Sequence, residues 1–325
     1  MDRRRFISAL PGGVFAARSI AEAQPVARVY RVGFLLGSSR ESVATLFDAL
    51  RDGLRDLGYV EGRNVVLEQR YAAGQTDRLP GLAAELVRSR PDVIVTGSSI
   101  HVAAVKHATT TIPVVMVFTA DPVGAGFVGS LAHPGGNITG LSADASPELW
   151  AKYLTLLRDI VPGLSRVGVM GQTSAQVEFA QLEAASRKLD IALEVVDLRA
   201  PENFDDAFAG MMRKRVAALI VVVSPLTYFL KERIAETALK FRLPTISNAD
   251  QYAQAGLLMS YGPSLVELYR RAATFVDKIL HGASPADLPV EQPTKFELVI
   301  NLRTARGLGV AIPQPMLLRA DQTIQ

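Results

Sequence analysis

Short apolar runs rich in Val alternate with amphipathic helical stripes along this chain, and the alternation occurs twice. In the first pass, residues 29–36 read as a strand. Phe47, Leu50, Leu54 and Leu57 then recur at steps of three and four, the period of a buried helix face, and Gly58 closes that helix. Residues 65–71 alternate as a second strand, and Leu79, Leu82, Leu86 and Val87 stripe a second helix before Pro91 stops it. Residues 92–96 form a third strand that runs into a helix over 100–109, and residues 112–118 form a fourth. After Ser142 the series restarts, with helices predicted over 147–160, 175–189, 204–213 and 228–241 and strands over 167–170, 192–197, 218–223 and 245–247. Strands that are apolar on both faces and separated by helices build parallel sheets covered on both sides. The fold class is therefore α/β, as two doubly wound parallel-sheet domains in tandem. A strand over 256–262, a helix over 265–280, a breaker-rich stretch over 282–293, a strand over 295–301 and a short helix over 304–308 complete the chain.

A length of 325 residues agrees with two cores rather than one. The chain has no cysteine, which excludes disulfides, thiolate metal sites, cysteine nucleophiles and an acylated anchor. Its histidines, His101, His107, His133 and His281, are scattered without ligand spacing, and no metal or other cofactor is expected. Lys and Arg number 35 against 32 Asp and Glu, and Arg3, Arg4, Arg5 and Arg18 supply most of the surplus. The remainder is near neutral, so no nucleic-acid partner is expected. That basic start, the modestly apolar residues 6–17 and Ala21-Glu22-Ala23 together read as an export signal over residues 1–23, cleaved after Ala23. Arg3-Arg4 before Phe6-Ile7 also fits a twin-arginine signal, so the Sec and Tat routes both stay open. No later apolar segment reaches the roughly 18 residues that span a bilayer, and the mature protein is expected in the periplasm.

Residues 112–142 run from a buried strand through a glycine-rich loop into another strand and read as the floor of a ligand cleft. Pro134-Gly135-Gly136-Asn137 is turn chemistry, leaving room for only a short helical segment between Val123 and Ala132. Gly124, Gly126 and Gly129 satisfy G-x-G-x-x-G with Asp144 downstream. The dinucleotide fingerprint, however, needs a tight turn straight off a first strand into a long helix, and Asp121-Pro122 and Pro134-Gly135 break that context. Ser98 or Ser99 stands as a helix N-cap at the cleft edge, where exposed amides suit an anionic group such as a carboxylate.

Four stretches carry a resemblance: LRDLGYVEGRNVVLEQRYAAG (54–74), TADPVGAGFVGSLAHPGGNITGLS (119–142), GLLMSYGPS (256–264) and LPVEQPTKFELVINLRTARGLGVAIP (288–313). In these the chain resembles the exported substrate-binding proteins of ABC transporters, in the branch with a periplasmic-binding-protein type I fold that includes tryptophan and tyrosine binders. The resemblance implies two lobes joined by a three-segment hinge, residues 27–141 plus 261–286 forming one and residues 142–260 plus 287–325 the other. It also implies a monomer that closes on a small organic ligand (an amino acid, another carboxylate or an aromatic compound) and docks on a permease in the inner membrane. Amino-acid binders of this family often carry an Asp-containing loop after the third strand of the second lobe. Here Val223-Ser224-Pro225-Leu226-Thr227 stands in its place, which removes an obvious partner for an α-ammonium group.

Only the C-terminal ends of the strands face such a cleft. The candidate ligand contacts are accordingly Gly37, Ser38, Gly97, Ser98, Ser99, Thr119, Ala120 and Asp121 in the first lobe, and Gly171, Gln172, Ser224, Asn248, Asp250 and Tyr261 in the second. Phe118 and Tyr261 are candidates for stacking on a ring, and Asp121 serves equally well to fix its own loop. No catalytic residue is assigned. An α/β enzyme acting on a small carboxylate is the alternative, but Gly97-Ser98-Ser99-Ile100-His101 lacks the last glycine of a nucleophile elbow and no P-loop is present. A ligand-sensing partner of a membrane receptor would look the same, whereas a DNA-binding regulator of this fold needs a helix-turn-helix where the export signal stands.

Overall fold

The five strands of the first sheet come from the first 143 residues, in a computed structural model that describes residues 28–143, 147–172 and 176–325. The export signal lies outside the described residues. The first series comprises β1 (Tyr30–Leu36), α1 (Ala44–Asp56), β2 (Val65–Tyr71), α2 (Leu79–Arg88), β3 (Val93–Gly97), α3 (Ser99–Ala108), β4 (Val114–Ala120) and β5 (Ile138–Ala143). Its strands are all parallel and lie in the order β2-β1-β3-β4-β5. β3 and β4 are buried at every position, as expected of central strands covered by helices on both faces, whereas the edge strand β2 exposes Val66 and Glu68 is only partly covered.

The second series begins with α4 (Pro147–Ile160), β6 (Arg166–Gly171), α5 (Gln176–Leu189), β7 (Ala192–Asp197), α6 (Phe204–Arg213) and β8 (Ala218–Val221). It continues with α7 (Pro225–Phe229), α8 (Lys231–Lys240), β9 (Thr245–Ser247), α9 (Asp250–Gln254) and β10 (Met259–Gly262). Then follow α10 (Leu265–Leu280), β11 (Glu297–Asn301), α11 (Leu302–Leu308), α12 (Gln314–Leu317) and β12 (Gln322–Ile324). The second sheet runs β7-β6-β8-β9-β10-β11-β12, and its first five strands repeat the order of the first sheet. β11 alone is antiparallel to its neighbour β10, with β12 parallel to β11 outside it.

The chain passes between the sheets three times, after β5, after β10 and before β11. Helix α10 follows β10 of the second sheet in sequence, yet it packs against α1, β3 and β4 of the first lobe. Gly53 makes that approach possible: a Cβ there would lie 2.6 Å from the Arg270 carbonyl oxygen and 2.9 Å from Ala273 Cβ. Where the first and third passages run side by side, Ser142 N donates to the Glu291 carbonyl oxygen and Glu291 N to that of Gly140, both at 2.9 Å.

Two local expectations fail. Between Val123 and Ala132 the chain makes a succession of turns with no helix, held by Ala125 N donating to the Asp121 carbonyl and Phe127 N to that of Pro122. Gly124, Gly126 and Gly129 favour turns over a helical run, and the turns still let Phe127, Val128 and Leu131 pack on the core. The single helix predicted over 228–241 is two: α7 starts earlier, at Pro225, and the chain breaks at Leu230 (φ −100°, ψ 11°) before α8. Ser224 and Thr227 form a reciprocal capping box that fixes the earlier start. The short elements α9, α12 and β12 have too few residues to show a period.

Candidate functional site

In both sheets the strand order reverses next to the first strand of the series, at β1/β3 and at β6/β8. In open α/β sheets the crevice outside the C-terminal ends of such strands is where ligands are held. Here the two crevices face each other and the lobes touch: Ser38 Oγ donates to the Pro225 carbonyl oxygen at 2.9 Å, and a Cβ on Gly37 would come within 2.4 Å of Pro225 Cβ. A Cβ on Gly74 would come within 2.9 Å of the ring of Phe229. This is a closed arrangement.

Backbone strain gathers along the first lobe's edge. Ser98 (φ 38°), Phe118 (φ 57°) and Asp121 (φ 35°) all hold positive φ without being glycine, a conformation that surrounding structure must enforce. At Phe118 the pairing of β4 with β5 shifts register between Met116 and Thr119, a bulge that turns the aromatic ring into the cleft. Phe118, with Ser98 and Val223, lines both of two chambers there.

The larger chamber, about 50 Å³, is walled mostly by carbon: Leu36, Val43, Leu46 and Val117 with the rings of Phe118, Tyr228 and Tyr269. His101 and Tyr228 are among its polar residues, besides Ser38, Ser98, Ser224 and Tyr269. His101 is 4% exposed; its Nδ1 lies 2.5 Å from the Gly97 carbonyl oxygen, which accepts only, so Nδ1 carries the proton and Nε2 presents a bare lone pair. Burial lowers the His101 pKa to about 4, against the smaller opposing effect of the Gly97 carbonyl, so the ring is neutral at pH 7. Neither His101 Nε2 nor the Tyr228 hydroxyl, which is also buried, has a hydrogen-bond partner among the described residues.

The smaller chamber, about 20 Å³, is polar and is lined by Ser98, Ser99, Ala120, Trp150, Glu178 and Asn248 besides Phe118. Ser98 and Ser99, at the start of α3, line it; Ser98 holds the N-cap position but its hydroxyl lies 2.8 Å from His101 Nδ1 and makes no cap bond, so side-chain capping leaves the first-turn amides of α3 untouched. Trp150 Nε1 is a buried donor without a partner among the described residues. Asn248 Oδ1 accepts from Val223 N at 3.1 Å, which ties this side chain to the end of β8. Glu178, in the first turn of α5, supplies the negative charge. Burial raises its carboxyl above the ordinary range, and its own backbone amide offsets this only in part.

Of the residues expected at the cleft, Gly37, Ser38, Gly97, Ser98 and Ser224 line the apolar chamber, and Ser98, Ser99, Ala120 and Asn248 line the polar one. The rest line neither. Thr119 is fully buried beside the bulge. Asp121 accepts from Gly124 N at 2.8 Å and shapes its own loop. Gly171 gives room to Phe179, whose ring would meet a Cβ at 2.9 Å, and Gln172 Oε1 accepts from Leu226 N at 3.2 Å to brace the start of α7. Asp250 Oδ2 accepts from Gln254 Nε2, while Tyr261 packs on Phe296 and takes the Tyr153 hydroxyl on its carbonyl oxygen, so its ring stacks on protein. Sequence reasoning passed over Trp150, Glu178, Tyr228 and His101 as site residues. All four sit on helices, within stripes that also serve the core, and only the packing of the lobes turns them to one place.

Residues 33–324, nearly the whole described chain, match the family of ABC transporter substrate binding proteins. The chain belongs to that family. This substrate-binding protein is 26% identical over 260 residues to a tyrosine-binding protein of Clostridioides difficile (strain R20291), across 79% of this chain and 74% of that one. Its fold matches the crystal structure of a conserved domain protein from Vibrio cholerae with a TM-score of 0.85 at 27% identity, covering 91% of this chain and all of the other. It also matches an ABC domain in complex with L-Trp from Streptococcus pneumonia with a TM-score of 0.83 at 23% identity over the same shares. The architecture is that of the type I periplasmic binding proteins, and the family is one of binding proteins rather than enzymes.

Proposed function

We propose that this protein captures a small organic solute between its lobes outside the cytoplasm and hands it unaltered to an ABC importer in the inner membrane. The observation that carries the reading is that residues of both lobes wall the same two chambers, so a bound solute touches Ser98 and Phe118 on one side and Glu178, Ser224 and Asn248 on the other. A ligand bonded to both lobes favours the closed state by its differential affinity, and an importer that reads the closed form then senses occupancy. The export signal over residues 1–23 and a monomeric state complete the proposal.

The polar chamber supports an amino-acid-like head group. The α3 amides and Trp150 Nε1 are donors for a carboxylate, and the partly desolvated Glu178 is an acceptor for an ammonium group, the role that Val223-Ser224-Pro225-Leu226-Thr227 leaves vacant in the loop. The relatives named for tyrosine and solved with L-Trp agree with such a head. The test is to purify the exported protein, identify by mass spectrometry what co-purifies, strip it by unfolding and refolding, and titrate it back while following small-angle scattering. Micromolar or tighter binding with contraction of the particle, and recovery of the solute chemically intact, is the expected result. A chemically converted solute, or none that binds or contracts the particle, would refute the reading.

A further inference from the structure

The third passage between the lobes is fastened to the first lobe well past residue 286. Gly135 N donates to the Ala286 carbonyl oxygen at 3.2 Å, Thr139 Oγ1 to that of Leu288 at 2.6 Å, and Val290 N to that of Leu131 at 2.7 Å. Val290 is buried in the first-lobe core with Leu35, Met116 and Ile138. The fastening ends at Glu291, which runs parallel to Leu141 and bonds through its backbone to Gly140 and Ser142. Its carboxylate accepts twice from Arg271 of α10, Nε to Oε2 at 3.0 Å and a terminal nitrogen to Oε1 at 2.8 Å. Arg271 holds that carboxyl below the usual range, so the pair is charged at neutral pH. One residue thus joins the first passage by its backbone and the helix after the second passage by its side chain. Beyond it, residues 292–296 belong to no helix or strand. Residues 292–295 border an open groove of about 350 Å³ together with Leu141, Pro263 and Ser264, so this connector bends without displacing core.

We propose that Glu291 and Arg271 are positioning residues for closure: they end the attachment of the third passage, extend the first lobe through residue 291, and confine the bend to residues 292–296 and Pro263-Ser264. This deepens the reading above and rests on its premise that the lobes move. An exposed ion pair by itself adds little to stability. A two-pronged Arg–carboxylate bond, however, fixes orientation as well as distance, and both partners here stand on backbone already tied down, α10 by its packing on α1, β3 and β4. Without the pair the last bonds at Glu291 and Ser142 fray and the free connector lengthens. A longer connector costs more to order each time the lobes meet. Neither residue lines either chamber, so whatever the pair does to solute capture passes through the hinge.

The experiment joins hydrogen exchange to inter-lobe distances in the stripped protein. The chain has no cysteine, so spin labels go on exposed positions of the two lobes through Asp77→Cys and Glu236→Cys alone, and pulsed electron resonance reads the spread of distances between them. In Arg271→Gln and in Glu291→Gln, peptides over 286–291 and 138–142 should exchange at least about ten-fold faster than in the parent, because their backbone bonds open locally. The distance distribution between the labels should broaden by about half in the same two variants, as the connector lengthens. Glu267→Gln, which removes an exposed acid bordering the same groove, should match the parent in both measurements. Unchanged exchange in both Gln variants, faster exchange with unchanged label distances, or the same changes in Glu267→Gln would overturn the proposal. A protein whose distances broaden as expected but that captures no solute keeps this inference and loses the reading of function. One that contracts on its co-purifying solute while Arg271→Gln and Glu291→Gln behave as the parent does the opposite.

Discussion

Glu178 is the residue on which the head-group reading can be pressed hardest. Burial raises its pKa in the unliganded protein, and an ammonium group beside it would lower that pKa in the complex. Affinity for an ammonium-bearing solute should therefore be full above the raised pKa, fall as pH drops through it, and level off below the lowered pKa of the complex. Calorimetry across that range should show a proton released on binding, and Glu178→Gln should bind more weakly with a flat profile; a variant with unchanged affinity removes the residue from the site. The same shift acts on stability with the opposite sense. A carboxyl whose folded pKa is raised contributes most below its unfolded pKa and loses that contribution as pH rises through the folded value. Glu178→Gln, which resembles the protonated form, should thus melt at a higher temperature than the parent at neutral pH without ligand. Little of this was legible beforehand: Glu178 reads as an ordinary first-turn acid of α5, and His101 as a lone histidine. Ser98 was legible as a residue at a strand end, although its hydroxyl pairs with His101 rather than capping α3.

At the scale of elements, the start of α7 is a local device with a distant effect. Ser224 Oγ accepts from Thr227 N, Thr227 Oγ1 accepts from Ser224 N, and Thr227 Oγ1 also meets the Tyr252 hydroxyl at 2.8 Å, so the box fixes the helix that carries Pro225 and Tyr228. Ser224→Ala should cost about 0.5–2 kcal/mol in urea unfolding, and it should weaken solute binding as well; loss of stability with unchanged affinity would mean that α7 does not position the site. The other exposed dependence is the meeting of α1 with α10. Gly53→Val places methyl groups against the Arg270 carbonyl and Ala273, and the overpacking should cost about 1–3 kcal/mol. Urea midpoints would read that loss directly. The period of apolar residues made α1, α10 and most strands legible, because each buries one face along its whole length. The break at Leu230 and the succession of turns over 123–132 in place of a short helix escaped, since caps and glycine turns leave no period.

For the whole molecule, closure is the property that the proposed function needs, and Gly37 gauges it. Any side chain at this position meets Pro225 of the other lobe. Gly37→Ala should leave the protein folded yet lower solute affinity by about ten-fold or more, equal to roughly 1.4 kcal/mol taken from the closed state, and small-angle scattering of the solute-saturated variant should show an expanded particle. A variant that contracts like the parent would show that the Gly37–Pro225 contact does not limit closure.

The amino-acid sequence by itself determined the class of fold, the tandem repetition of the series, the family and several of the strand ends that line the chambers, because each of these rests on local periods, turn chemistry and extended strings that a linear reading preserves. Only the tertiary structure decided that α10 returns to the first lobe, that a bulge turns Phe118 into the cleft, and that Glu178, Trp150, His101 and Tyr228 share two adjoining chambers. The reason is physical: these side chains lie on separate helices, and their meeting depends on how two sheets face each other across a gap, a relation between surfaces for which no stretch of chain carries a period.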